Sequence, residues 1–200
     1  MQLFCLFILI LLRNKILCKY IFSGKFLQSI VSMSKAKKVL EIGMFTGYAA
    51  LACAEVLPED GTVTTLEFDP FLEDVAKEFF SKSPHVKKIN IRIGDAKDTL
   101  LKLAEEQAQY DIVFIDANKA GYVDYFKTVM RKDLLAKGGT IVFDNSLMAG
   151  HAYNPESTNK IGLEIRKCNE YLKSRDDIFR VLVPIRDGVM IVRRKTDVFL

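Results

Sequence analysis

The chain has 200 residues, with 29 Lys and Arg against 25 Asp and Glu for a formal net charge of +4, and half of its residues are hydrophobic. That length suits one domain with a sizeable core, and that composition excludes extended disorder. The charge is unevenly spread: residues 1–38 hold seven bases and no acid, leaving 22 basic against 25 acidic residues, so the mildly acidic body gives no footprint for nucleic acid.

The chain opens on an apolar run of ten, Leu3 to Leu12, followed by Arg13, Asn14 and Lys15. Ten residues are too few to span a bilayer as a helix. No basic n-region precedes the run and no clear small-x-small cleavage site follows it. Three readings of residues 1–22 stand open: a signal or membrane-anchor segment, an apolar helix packed on the domain, and a non-native start. We divide the chain into this atypical segment (1–23) and a single domain (24–200). A cytoplasmic location is expected, with a signal or anchor at 1–22 as the alternative.

From residue 36 strands and helices alternate. Strands are predicted at Lys38–Ile42, Thr62–Glu67, Ile89–Ile93, Asp111–Ile115 and Gly139–Phe143, with helices at Tyr48–Leu57, Pro70–Lys82, Ala96–Ala108 and Lys119–Leu135. Phe71, Val75 and Phe79 recur at helical spacing among Glu73, Asp74 and Lys77. The rhythm argues an α/β fold, a doubly wound, Rossmann-like, mostly parallel sheet. After a helix at Lys160–Lys173 it breaks: Phe179–Pro184 and Val189–Arg193 flank a short loop ending in Asp187-Gly188, so these two strands form an antiparallel hairpin. Cysteines at 5, 18, 53 and 168 form no C-x-x-C pair and read as small buried residues in a reducing compartment. Two histidines, His85 and His151, exclude a histidine-rich metal site.

Two constellations carry chemistry. The first strand runs into Gly43 and Gly47 just before a helix, which lets backbone approach a ligand and turns free N–H groups toward it. Glu67 ends the second strand twenty-four positions after Gly43, near the spacing that sets a carboxylate on ribose hydroxyls. An adenosine-bearing cofactor at the sheet edge is expected, against the plainer reading of an ordinary strand-to-helix turn.

In the second constellation Asp116 ends one strand, and Asp144 and Asn145 end the next, twenty-eight positions on. Right-handed crossover sets these ends side by side. Two carboxylates and an amide are hard oxygen donors, suited to Mg²⁺, Mn²⁺ or Ca²⁺. The alternative is helix capping and turn chemistry. Lys119, three residues past Asp116, is either a solvated surface group or a base.

Together these residues resemble the cation-dependent small-molecule O-methyltransferases of the caffeoyl-CoA and catechol type, within the class I S-adenosylmethionine-dependent fold. The likeness spans roughly Gly24 to Lys195. Its motifs are Gly-Lys-Phe-Leu (24–27), Leu-Glu-Ile-Gly-Met-Phe-Thr-Gly-Tyr (40–48), Leu-Pro-Glu-Asp-Gly (57–61), Tyr-Asp-Ile-Val-Phe-Ile-Asp-Ala-Asn-Lys (110–119), Gly-Gly-Thr-Ile-Val-Phe-Asp-Asn (138–145) and Asp-Gly-Val-Met-Ile-Val-Arg-Arg (187–194). The resemblance implies that Glu41, Gly43, Gly47, Tyr48, Glu67, Asp95, Ala96 and Asp116 bind S-adenosyl-L-methionine. It implies further that Asp116, Asp144 and Asn145 hold Mg²⁺ or another divalent cation, and that Lys119 with Asp116 is catalytic. The implied partner is a small phenolic acceptor, with a homodimer left open. Ala49 stands where the family usually has serine, and residues 1–22 do not resemble the helices that help close the family's substrate pocket. A truncated, weakly active or inactive S-adenosylmethionine-binding protein is therefore the alternative. Asp-Asn-Ser-Leu (144–147) in place of an Asn/Asp-Pro-Pro-aromatic element argues against a base methylase.

Overall fold

The computed structural model describes residues 17–199, with side chains from Gly24 onward. The run Leu3–Leu12, and the choice among its three readings, lies outside the described residues. Helix α1 (Leu17–Met33) comes first, an element that the alternation from residue 36 does not announce. It continues through position 23, where the sequence divides the chain. No helix among the described residues is long and apolar enough to cross a membrane.

Seven strands follow: β1 (Lys38–Ile42), β2 (Thr62–Glu67), β3 (Ile89–Ile93), β4 (Tyr110–Ile115), β5 (Leu135–Phe143), β6 (Ile178–Val183) and β7 (Val189–Arg194). Between them lie α2 (Tyr48–Val56), α3 (Pro70–Phe80), α4 (Ala96–Glu105), α5 (Tyr122–Arg131) and α6 (Lys160–Lys173). The sheet order is β3-β2-β1-β4-β5-β7-β6. β1 to β5 pair in parallel, whereas β7 is antiparallel to both β5 and β6. The predicted doubly wound sheet with an antiparallel C-terminal hairpin is thus found, with β7 inserted next to β5.

The central strands are apolar on consecutive residues because both of their faces are covered. Leu40, Ile42, Val113 and Ile115 pack with α4, α5 and α6 through Leu100, Phe126 and Ile165. Val39, Ile112 and Phe114 pack on the opposite side with α1, α2 and α3 through Leu27, Leu51 and Phe80. The two described cysteines, Cys53 and Cys168, are free and buried in these layers, as read from the sequence; Cys5 and the side chain of Cys18 lie outside the described part.

Four predicted helices run too long: Tyr48–Leu57 ends at Val56 and Pro70–Lys82 at Phe80, while the other two overrun further, for one reason. The stretch Ala96–Ala108 ends its helix at Glu105, and Lys119–Leu135 ends at Arg131, leaving Leu135 to start β5. In each, a non-glycine residue turns left-handed (Gln107 at φ 55°, Asp133 at φ 53°) and the next N–H bonds five residues back: Ala108 to Leu103 O at 3.0 Å, Leu134 to Val129 O at 3.1 Å. This is the closure that glycine usually marks, built here without it. Lys119–Gly121 is a separate 3-10 turn, with Asn118 Oδ1 accepting from Ala120 N–H.

Candidate active site

The site lies at the carboxyl edge of the parallel strands, where the order reverses between β1 and β4. Gly43, at φ 99°, donates its N–H to Leu66 O at 3.0 Å, and Met44 donates to the same oxygen at 2.9 Å. A Cβ on Gly43 would come within 2.5 Å of the Asp116 carbonyl oxygen, so only glycine lets the loops after β1 and β4 pass. Gly47, at φ 81°, is the N-cap of α2 and lies against the Phe80 ring.

Two clefts open on either side of this crossing. One, of about 390 Å³, is lined by Glu67, Phe68, Gly94, Asp95, Ala96 and Tyr125, together with Gly43, Phe45 and Asp116. The other, of about 310 Å³, is lined by Glu41, Tyr48, Ala49, Phe114 and Asp144, again with Gly43, Phe45 and Asp116, and by Gly24 and Leu27 of α1. The glycine loop and Asp116 therefore form a common wall. Every residue that the resemblance assigns to the cofactor, apart from Gly47, lines one cleft or the other.

Glu67 is held by three backbone donors: Phe45 N–H to Oε2 at 2.8 Å, and Phe68 and Asp69 N–H to Oε1 at 2.8 and 2.9 Å. Phe45 makes its bond in a left-handed conformation (φ 51°) with its ring half exposed. Asp95 caps α4, accepting from Lys97 N–H at 2.7 Å. Glu41 is 2 % exposed and accepts from the Thr65 hydroxyl at 2.5 Å. Burial pushes its carboxyl up to about 8.

The ends of β4 and β5 stand side by side, as crossover requires. Ile115 pairs with Phe143, and Asp144 N–H donates to Ile115 O at 3.1 Å. Burial first, and the Asp116 charge second, push the Asp144 carboxyl up to about 6. Lys119 Nζ donates to Asp116 Oδ1 at 2.6 Å and to Tyr122 Oη at 2.7 Å. Burial, then Asp116 and Asp144, raise the Tyr122 phenol well above its ordinary range. Asn145 turns left-handed (φ 59°), and its N–H donates to Asp144 Oδ1 at 2.7 Å. Asn145 and Lys119 line neither cleft. Among the described residues no three His, Cys, Asp or Glu side chains gather to hold a metal ion; the hard donors here are two carboxylates and one amide.

Sequence reasoning gave no role to Thr65, Tyr122 or Phe114. Thr65 was within reach of it, because parallel register sets Thr65 opposite Glu41. Tyr122 was within reach too, because it stands three residues after Lys119, a spacing at which helical side chains meet.

A seven-stranded sheet with β7 inserted antiparallel beside β5, and paired clefts at its carboxyl edge, defines a class I methyltransferase. The family model for O-methyltransferases matches residues 18–195. Caffeoyl-CoA O-methyltransferase of Stellaria longipes is 33% identical over 180 residues, 86% of this chain and 74% of that protein. Catechol O-methyltransferase of Niastella koreensis is 37% identical over 151 residues, 74% of this chain and 67% of that protein. Among solved structures, the Bacillus cereus O-methyltransferase in complex with SAH superposes with a TM-score of 0.80 at 27% identity, covering 87% of this chain and 81% of that one. An O-methyltransferase from Streptomyces achromogenes in complex with SAM gives 0.79 at 27% identity, covering 86% and 79%. The chain belongs to the O-methyltransferase family, and it is an S-adenosylmethionine-dependent O-methyltransferase.

Proposed function

We propose that this enzyme moves a methyl group from S-adenosylmethionine to one hydroxyl of a small catechol-like or caffeoyl-CoA-like acceptor, with a divalent cation at Asp116, Asp144 and Asn145. The observation that carries this reading is that Asp116, on the wall shared by the two clefts, and Asp144 line the same 310 Å³ cleft, with the Lys119 amine 2.6 Å from Asp116. The names of the Stellaria and Niastella relatives favour the acceptor class.

The donor set fits a hard cation. Burial first, and the neighbouring Asp116 charge second, raise the cost of ionising Asp144, and a cation relieves that cost. Bound there, a divalent ion supplies a Lewis acid that makes an acceptor hydroxyl more acidic.

The remaining work falls to the chain. Glu67 holds the ribose hydroxyls, Asp95 and Ala96 border the adenine, and Glu41, Gly43 and Tyr48 line the path toward the sulfonium. Lys119, beside Asp116, takes the proton of the acceptor hydroxyl. The oxygen forms its bond to the methyl carbon as the carbon–sulfur bond breaks, and S-adenosylhomocysteine leaves. Positioning dominates such a direct transfer. Leu27 of α1 and Phe114 give the acceptor cleft its apolar wall.

The test is transfer of labelled methyl from S-adenosylmethionine to a simple catechol, with Mg²⁺ and then with excess EDTA. Loss on chelation supports the reading. Undiminished transfer in EDTA removes the metal, and a folded protein that binds the cofactor without transferring favours the alternative of a binding protein.

A further inference from the structure

Tyr122 has no part in the reading above, yet its hydroxyl lies where the two arms of the site meet. The residue is 1 % exposed, at the start of α5. Its oxygen accepts from Lys119 Nζ at 2.7 Å, and its proton points to the backbone carbonyl of Asp144 at 3.4 Å. The same Nζ donates to Asp116 Oδ1 at 2.6 Å. One hydroxyl thus receives from the segment after β4 and donates to the end of β5.

The ring is fixed independently of that hydroxyl. It stacks at a tilt on Phe143, with centroids 5.7 Å apart, and Lys119 Nζ sits 4.9 Å from its own centroid. A lysine head on a four-carbon stem has many rotamers, and one anionic partner leaves several of them open. A second acceptor, the Tyr122 oxygen at 2.7 Å, narrows that choice. Tyr122 lines neither cleft and is 1 % exposed, which keeps it from cofactor and acceptor.

We propose that Tyr122 is a positioning residue whose hydroxyl tethers the Lys119 amine between Asp116 and the end of β5. The inference rests on the proposed role of Lys119 in methyl transfer. It predicts that removing one oxygen, with the ring kept, frees the amine and slows transfer while leaving cofactor binding alone.

The experiment compares wild type, Y122F, K119A and the double variant, with a thermal melt on each. Y122F is expected to lower kcat about tenfold, with the KM for a catechol and the Kd for S-adenosylmethionine within about twofold of wild type. In the K119A background the same change should alter kcat by less than about twofold, because the residue acts through Lys119. Independently of activity, competitive labelling of amines with acetic anhydride, read by peptide mass spectrometry, should modify Lys119 several-fold faster in Y122F.

Wild-type kcat in Y122F, multiplying effects in the double variant, or unchanged Lys119 labelling would each overturn the tether. Faster labelling of Lys119 in Y122F, in a protein whose wild type transfers methyl to no catechol, upholds the tether and overturns the methyl-acceptor reading instead.

Discussion

The backbone N–H of Phe45 donates to Glu67 Oε2 across 2.8 Å, so the loop after β1 and the carboxylate after β2 hold one another. Phe45 keeps a left-handed backbone to make that bond. Glu67 has acceptor capacity beyond its three backbone donors, since a carboxylate offers about four lone-pair sites. The proposed ribose contact uses that remaining capacity. Glu67→Ala should weaken S-adenosylmethionine binding by roughly 10- to 100-fold, the worth of a charge-assisted hydrogen bond plus a loosened loop. Isothermal titration reads this directly, and an unchanged dissociation constant refutes the ribose assignment.

Asp144 lies in the cleft lined by Glu41 and Tyr48, the side proposed for the acceptor. Asp144→Ala is expected to abolish methyl transfer and to leave cofactor affinity within about threefold, because the residues proposed to hold ribose and adenine line the other cleft. Retained transfer would remove the metal role.

Gly43→Ala tests the crossing of the two loops. The added Cβ would meet the Asp116 carbonyl oxygen at 2.5 Å, and φ 99° is strained for any L side chain. The expected loss of stability is about 1–3 kcal/mol, with weaker cofactor binding as Asp116 is displaced. A variant that melts with wild type and binds normally would show that the crossing has slack.

Glu41 gives a dependence on pH. Its folded carboxyl is raised to about 8 from an ordinary 4.5. Below 4.5 both folded and unfolded chains hold the proton. Between 4.5 and 8 the unfolded chain releases it while the folded chain keeps it, so stability falls as pH rises through that window. Glu41→Gln keeps an acceptor for the Thr65 hydroxyl and removes the titration. Its melting temperature relative to wild type should therefore climb from pH 5 to pH 8, at up to about 1.4 kcal/mol per pH unit. A flat difference would mean that Glu41 is ionised in the folded state.

Most of the architecture was legible because it is written in local pattern. Apolar runs at Val39–Ile42 and Ile112–Ile115 marked buried parallel strands, and Asp187-Gly188 marked the hairpin. Helix ends were not legible, since Gln107 and Asp133 carry left-handed turns that neither residue type advertises.

The sequence by itself determined which residues stand at the strand ends, Gly43, Glu67, Asp116 and Asp144, because a parallel sheet gathers the residues just past its strands on one edge. Only the tertiary structure decided that β7 sits between β5 and β6, that α1 supplies Gly24 and Leu27 to a cleft wall, and that the Tyr122 hydroxyl reaches the Asp144 carbonyl. Those relations join segments whose pairing depends on which faces remain uncovered once the central strands have packed, and no local period in the chain carries that information.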